Sequence, residues 1–406
     1  MLNFALVTVV CCFRGGRRAW LRPVVLAAWL ASETGIGRTR AENRLDYRYE
    51  DYSEDGGRIQ IQTHGAFLDA TLNPWLALKA NFIHDAISGA TPTGAPPIPG
   101  LSDVAKVTIE DIRRAGYVEP AFKIENHTLS PQFSYSAESD YESTGISFSH
   151  ASEWNEKNTT LTWGVSHLFD RVLPSEGASI SDVEDKDTTD FLVGVTQLLG
   201  PKTTLTVNLT LGYSDGYLAD PYKRVLFEDF PYTPGEPYTV FPEVRPGHRF
   251  RQVLFGELRH YFESLNGAIE GNYRFHHDDW GIWAHTVGLA WHQKIGKAVT
   301  ISPLFRFHTQ TAADFYGTSF PGDPGCPPED DPSCPPIALP DHYSADYRLS
   351  ELNSFTYGIS AEARLHKNIS VHISYKRYVM DGTDGITAED QYPSANVVGG
   401  GVAIWF

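Results

Sequence analysis

From Glu42 onward, polar and apolar residues alternate with a period of two along most of the chain. Arg58-Ile-Gln-Ile-Gln62, Trp163-Gly-Val-Ser-His167, Leu205-Thr-Val-Asn-Leu-Thr-Leu211, Ala298 to His308, Phe355 to Leu365 and Ile369 to Tyr375 all follow it. Successive side chains of a strand point to opposite faces, so each segment predicts a strand with one apolar face and one polar or small face. The pattern runs to the last residue: in Ser394–Phe406, positions 398, 400, 402, 404 and 406 are Val, Gly, Val, Ile and Phe. Terminal residues fray unless something holds them. A closed antiparallel barrel holds them, because its last strand pairs with its first and leaves no edge. The competing reading is the terminal strand of a soluble sandwich.

Strands are expected near 43–53, 58–72, 75–88, 117–126, 131–141, 143–155, 159–170, 188–199, 202–215, 248–264, 267–277, 281–295, 298–312, 349–366, 368–380 and 394–406. They number about 16, or 14 if the region 117–141 contributes less. Short connections with turn chemistry fall at Asn73-Pro74, Asn155 to Asn158, Gly200 to Lys202, Asn266-Gly267, Gly296-Lys297 and Lys367-Asn368. They alternate with long ones over roughly 89–119, 171–187, 217–247, 314–348 and 381–393, and with turns near Asp140 to Gly145 and His276 to Gly281 that share the long side. This alternation predicts an up-and-down transmembrane β-barrel with both ends of the folded chain on the short-turn side. Pro303 removes a ladder bond and suggests a bulge or a strand start. Ser102 to Gly116 is compatible with a loop helix.

Composition narrows the class. No stretch after residue 32 has the roughly 18–20 uninterrupted apolar residues of a spanning helix, so any membrane passage is made by strands. The aromatic content of 13% suits girdles at two membrane interfaces. The net charge is −17, and the first 41 residues carry six arginines against Glu33 alone, so the remainder is more acidic still. That balance argues against a nucleic-acid partner. The basic patch Arg14 to Arg22 followed by the apolar run Pro23 to Ala31 predicts a secretory leader within residues 1–41, cleaved near Ala31 or Ala41, and a barrel over 42–406. Cys326 and Cys334 share one proline-rich loop and are expected to form a local disulfide in an oxidising compartment.

The polar strand faces supply the candidate chemistry. Arg48, Glu50, Lys79, Asp85, Glu138, Asp140, Asp190, Glu257, Arg259, Glu270, Arg274, Arg306, Glu362, Arg364 and Lys376 are expected on the inner side. Glu257-Leu-Arg259 and Glu362-Ala-Arg364 each place opposite charges two residues apart on one face. Mixed charge suits a hydrated pore wall, and equally an ion-pair network that fills a closed barrel. The expected function is therefore a channel or transporter for small polar or ionic solutes, with a non-conducting structural or surface-binding barrel as the alternative. His276-His277-Asp278-Asp279 reads as a solvated turn, and the acids Glu329 to Asp331 and Asp381 to Asp384 as solvated loops, since no metal-ligand spacing is matched. No cofactor is called for. Neither Gly-x-Ser-x-Gly nor His-Glu-x-x-His occurs, and Ser166-His167 would lie on opposite strand faces, so no enzyme is expected; the alternative is a barrel hydrolase whose site is built from neighbouring strands and hidden from sequence spacing.

Asp85-Ala-Ile-Ser-Gly-Ala90, Glu138-Ser-Asp-Tyr-Glu-Ser143 with Asn158-Thr-Thr-Leu161, and the terminal strand resemble a bacterial family termed domain of unknown function three-five-seven-zero, over about residues 42–406. The resemblance implies an outer-membrane barrel and supplies no catalytic residues. Within its motifs, Asp85, Ser88, Gly89, Glu138, Asp140 and Tyr141 fall at strand ends. Asp85 and the acids Glu138 and Asp140 would meet in a clamp or a cation site at the mouth, or else serve as turn chemistry, with Ser88-Gly89 opening a loop. The final strand is similar to the closing strand of bacterial outer-membrane barrels, which makes Phe406 the expected signal for the barrel assembly machinery. Outer-membrane lipid and a small polar solute complete the expected partners.

Overall fold

The computed structural model describes residues 43–97, 104–231, 238–326 and 337–406. Sixteen antiparallel strands close into a barrel: β1 (Arg44–Glu54), β2 (Ile59–Asn73), β3 (Leu76–Pro92), β4 (Lys106–Ile124), β5 (His127–Ala137), β6 (Tyr141–Trp154), β7 (Thr159–Val172), β8 (Glu184–Gly200), β9 (Thr203–Gly216), β12 (His248–Phe262), β13 (Gly267–Asp278), β14 (Trp283–Ile295), β15 (Val299–Gln310), β16 (Leu352–His366), β17 (Ile369–Gly382) and β18 (Ser394–Trp405). The two-residue strands β10 (Arg224–Val225) and β11 (Phe241–Pro242) pair with each other inside the connection from β9 to β12. The ring follows chain order, and β18 pairs with β1 from Trp405 opposite Arg44 to Ala395 opposite Glu54. The amide of Phe406 donates to the carbonyl of Asn43 at 3.0 Å, so the terminal aromatic residue completes the seam.

Alternation decides what each strand presents to either side. Phe82, Phe133, Ile146, Val165, Val195, Leu209, Leu254, Leu289, Ile359, Ile373 and Val398 are exposed. In water such a surface would be unfavourable, but it is what a lipid-facing band requires. The opposite parity faces inward. On β2, β3 and β4 it buries Ile59, Ile87 and Ile109 against one another near the long-loop end, each worth about 1.5–3 kcal/mol relative to exposure.

Several sequence expectations change. The strands are longer on the long-loop side, and β3 and β4 run through much of the connection expected over 89–119. The helix-compatible stretch ends as strand from Lys106: Val107, Ile109 and Ile112 fit helical spacing, but pairing along the whole of β3 fixes the extended form and buries Ile109. Ser88 and Gly89 lie inside β3 rather than opening a loop. Gly89 has φ of +125°, and a Cβ there would stand 1.7 Å from the Arg58 carbonyl oxygen, so only glycine allows that approach of β2 to β3. Pro303 lies mid-strand with neither a bulge nor a strand start: pairing of β14 with β15 lapses between Ala290–Leu304 and Gln293–Ile301 and resumes in the same register.

Candidate functional site

Lumen-facing positions follow from parity. Glu50, Tyr52 and Glu54 on β1, Ile59, Ile61 and Thr63 on β2, Asp85 and Ile87 on β3, and Ile109 and Arg113 on β4 all line one internal cavity of about 370 Å³. By the same alternation Arg48, Lys79, Asp190, Glu257, Arg259, Glu270, Arg274, Arg306, Glu362, Arg364 and Lys376 point inward. Most of the charges are paired: across strands Lys79 with Glu119 at 3.2 Å, Arg251 with Asp190 at 3.3 Å, Lys376 with Glu50 at 3.2 Å and Arg259 with Glu270 at 3.0 Å, and along β12 Arg259 with Glu257 at 3.0 Å. Arg48 and Arg44 share the buried carboxylate of Asp46. Arg364 does not pair with Glu362. Its guanidinium lies 5.1 Å from the centre of the Trp405 ring instead. Pairing does not dry the lumen, since the side chains of Arg48, Lys79 and Arg259 remain 52%, 47% and 58% exposed.

The long-loop end is different. The β9–β12 connection reaches the far wall: Lys223 Nζ donates to the carbonyl of Pro92 at 2.6 Å, and the amide of Arg224 donates to that of Thr93 at 2.8 Å. Pro92 ends β3, six places from β9 around the ring, so the segment crosses the mouth. The β15–β16 connection packs on it through Val225, Phe227, Phe320 and Ala345, with Phe241 and Tyr343 in edge-on contact with Phe227. Gly94 marks the close approach: with φ of +91°, its Cβ would lie 2.7 Å from the Ala345 carbonyl oxygen. Together these segments form a cap.

Three cations and three carboxylates tie the cap together. Asp346 accepts from Arg245 at 2.8 Å and from Arg348 at 2.8 and 2.5 Å, with Lys223 3.8 Å away. Arg348 also reaches Asp220 at 2.5 Å, and Arg245 reaches Glu243 at 2.7 Å. Glu243 accepts in turn from the Asp220 amide and the Ser344 hydroxyl. Burial alone would raise the carboxyls and lower the amine. It does push Glu243 up and Lys223 down. For Asp346 and Asp220 it is outweighed by Arg348 and Lys223, so both are held below the usual carboxylate range. Asp220, Tyr222, Lys223, Tyr347 and Arg348 form the roof of the cavity, and β1–β4 form its wall.

The motif residues meet, but not as expected. Asp85 pairs with Arg113 at 2.6 Å. Glu138 and Asp140 gather with Asp111 instead, with ligand-type oxygens of all three within 4.8 Å of one another. Asp140 is 2% exposed and accepts from the Tyr222 hydroxyl at 2.6 Å, which makes it an anchor for the cap rather than a solvated turn. Tyr141 opens β6 facing inward, with Lys186 over its ring at 5.6 Å. His276 to Asp279 is not a solvated turn either. Asp278 is fully buried, bonded to Arg249 and His276, and accepts from the amides of Trp280 and Ile282. Asp384 closes its own turn on Ile386 and Thr387. Cys326 is disulfide-bonded. Cys334, the acids Glu329 to Asp331 and the leader lie outside the described residues.

Sequence reading missed the cap charges, because residues in long acidic loops are ordinarily solvated. The available signal was aromatic: Tyr222-Lys-Arg-Val-Leu-Phe227 and Ser344-Ala-Asp-Tyr-Arg348 interleave charge with side chains that prefer burial.

A closed sixteen-stranded antiparallel ring with an apolar exterior and a charged interior defines an outer-membrane β-barrel protein. The chain belongs to the family described as Protein of unknown function (DUF3570), which matches residues 24–107 and 103–405. Solved structures of similar architecture include CdiB from Acinetobacter baumannii, with a TM-score of 0.50 and 7% identity over 90% of this chain and 60% of that one. A bacterial polysaccharide outer membrane secretin gives 0.46 and 9% over 90% and 98%. OmpT of Vibrio cholerae lacking loop L8 gives 0.41 and 10% over the same shares. At such identities the likeness concerns the fold alone. No curated protein matches the sequence.

Proposed function

We propose that this protein is a gated channel for small polar or ionic solutes in the outer membrane of a Gram-negative bacterium, with the long-loop end outside the cell. The reading is carried by the water-exposed charges of the lumen, Arg48, Lys79 and Arg259, below a cap that crosses the mouth. A barrel filled by its own ion pairs would bury those groups. A hydrated wall of both signs lowers the cost of bringing an ion or polar solute into a narrow low-dielectric passage. The cap is held by ion pairs and hydrogen bonds as well as by its small apolar core, so it can be displaced without unfolding the strands. The competing role, a non-conducting barrel whose loops bind a surface ligand, draws on the same closed mouth.

Planar-bilayer recording of the detergent-folded protein tests the proposal. Discrete conductance steps are expected, rare with the cap intact and frequent once Asp346 is replaced. No conductance from either protein at any voltage would overturn the channel reading in favour of the surface-binding barrel.

A further inference from the structure

Midway along the lumen the charge balance fails. Among the described residues, Arg274 on β13 and Arg306 on β15 face inward with neither a carboxylate nor an aromatic ring as partner, whereas the neighbouring lumen arginines have one. Arg249 holds Asp278, Arg251 holds Asp190, Arg259 holds Glu257 and Glu270, and Arg364 lies against Trp405. The nearest acids are therefore committed. Glu270 also stands four residues below Arg274 on the same strand, about 13 Å at strand rise.

The two arginines are placed to act together. Both lie seven residues from the short-turn start of their strands, Gly267 and Val299. Only β14 separates them, and it offers small residues there: Thr286 is opposite Arg274, and Gly288 is opposite Arg306. Arg274 lies within electrostatic range of both Arg306 and Arg251. On the far side Arg306 is opposite Thr356 of β16. The inward residues of β16 from Leu352 to Ser360 are Leu, Ser, Thr, Gly and Ser, which supply hydroxyl donors and no negative charge. Two guanidinium groups held near each other without a counter-charge repel, and an anion entering between them relieves that repulsion.

We infer that Arg274 and Arg306 form a mid-lumen binding site for a small oxyanion, carboxylate or phosphate, whose oxygens take the paired donors of the two guanidinium groups. The planar fork of arginine matches both oxyanions, and the Thr356 hydroxyl opposite Arg306 is placed to complete the shell, whereas the buried Thr286 hydroxyl is committed to His308 Nδ1 at 2.9 Å. The inference deepens the transport reading by assigning the solute class. Its test is a binding measurement that does not require conduction.

The detergent-folded full-length protein is dialysed to equilibrium against radiolabelled inorganic phosphate at low ionic strength, with succinate as a competing carboxylate. Saturable binding is expected, weakened at least tenfold in the Arg274→Gln, Arg306→Gln double variant and unchanged in Arg364→Gln. The lysine versions of the pair should keep part of the affinity, since they retain charge and lose the fork. Heat-dependent gel mobility reports folding for each variant. Succinate competing with phosphate assigns one shared oxyanion site, whereas phosphate bound without competition from succinate overturns the carboxylate half of the inference. Absence of saturable binding, a double variant that binds like the parent, or an equal loss in Arg364→Gln overturns the site itself. Binding without conductance sinks the channel and leaves the site; conductance without binding does the reverse.

Discussion

The cap and the mid-lumen wall both use arginine, in opposite ways. In the cap Lys223, Arg245 and Arg348 are matched by Asp220, Glu243 and Asp346, and every charge except the half-exposed Arg348 is buried or nearly so. On the wall Arg306 is exposed to the lumen and Arg274 half-buried beside it, and among the described residues neither is paired with an acid. Matched charge specifies a docked geometry, because each group must find its partner to offset desolvation. Unmatched charge facing water does not need the fold to satisfy it, and stays available to a solute.

The strongest way to break this contrast is to unbalance the cap. Asp346→Asn removes the carboxylate shared by three cations and leaves them buried, which should cost the docked cap about 3–5 kcal/mol. The variant should keep the heat-modifiable barrel while the cap loops become sensitive to protease and channel openings become frequent. A variant as resistant as the parent would show that the apolar contacts around Phe227 suffice.

Acid attacks the same network reversibly. Asp346 and Asp220 have carboxyls held low in the docked state, so their contribution is complete above the ordinary value near 4 and is lost as pH falls below it. Glu243, held high, works in the other sense and favours docking as it protonates. Openings should therefore stay rare from pH 7 to about 5 and increase below about 4, because two depressed acids outweigh one raised acid. A transition centred near pH 6 would point to histidine instead.

Smaller changes sharpen the comparison. Tyr222→Phe deletes the donor to the buried Asp140 carboxylate and should weaken docking by about 1.5–3 kcal/mol, read as faster proteolysis of the cap. Thr286→Asp would give Arg274 and Arg306 an internal counter-charge and carry the logic of the cap into the wall. Phosphate binding should fall about tenfold, or roughly 1.4 kcal/mol, while the cap is unaffected. The slightest effect is expected from Arg364→Ala, about 0.5–1 kcal/mol of barrel stability through the lost contact with Trp405.

The barrel was legible in the sequence because strand alternation and loop alternation are local, and Leu205 to Leu211 or Ile369 to Tyr375 announce their faces without help from the rest of the chain. The inward set from Arg48 to Lys376 followed from the same parity. The cap was not legible, since it depends on partners such as Lys223 and Pro92 that are 131 residues apart. Local spacing also misjudged Asp140 and Asp278: a short acidic turn looks solvated until another segment is laid over it. The unmatched state of Arg274 and Arg306 is likewise a property of cross-strand register, visible only once Gly288 and Thr286 are placed between them.

The chain segment that runs from β9 to the end of β3 has a mechanical meaning as well. A ring of strands joined only to immediate neighbours resists stretching along its circumference but yields easily to being squeezed into an ellipse. Lys223, gripping Pro92 at the end of β3, six strands round the ring from β9, is a chord across the mouth. On the channel reading proposed above, releasing it would soften that cross-section, so that lateral pressure from the surrounding bilayer and the opening of the mouth would act on a single degree of freedom.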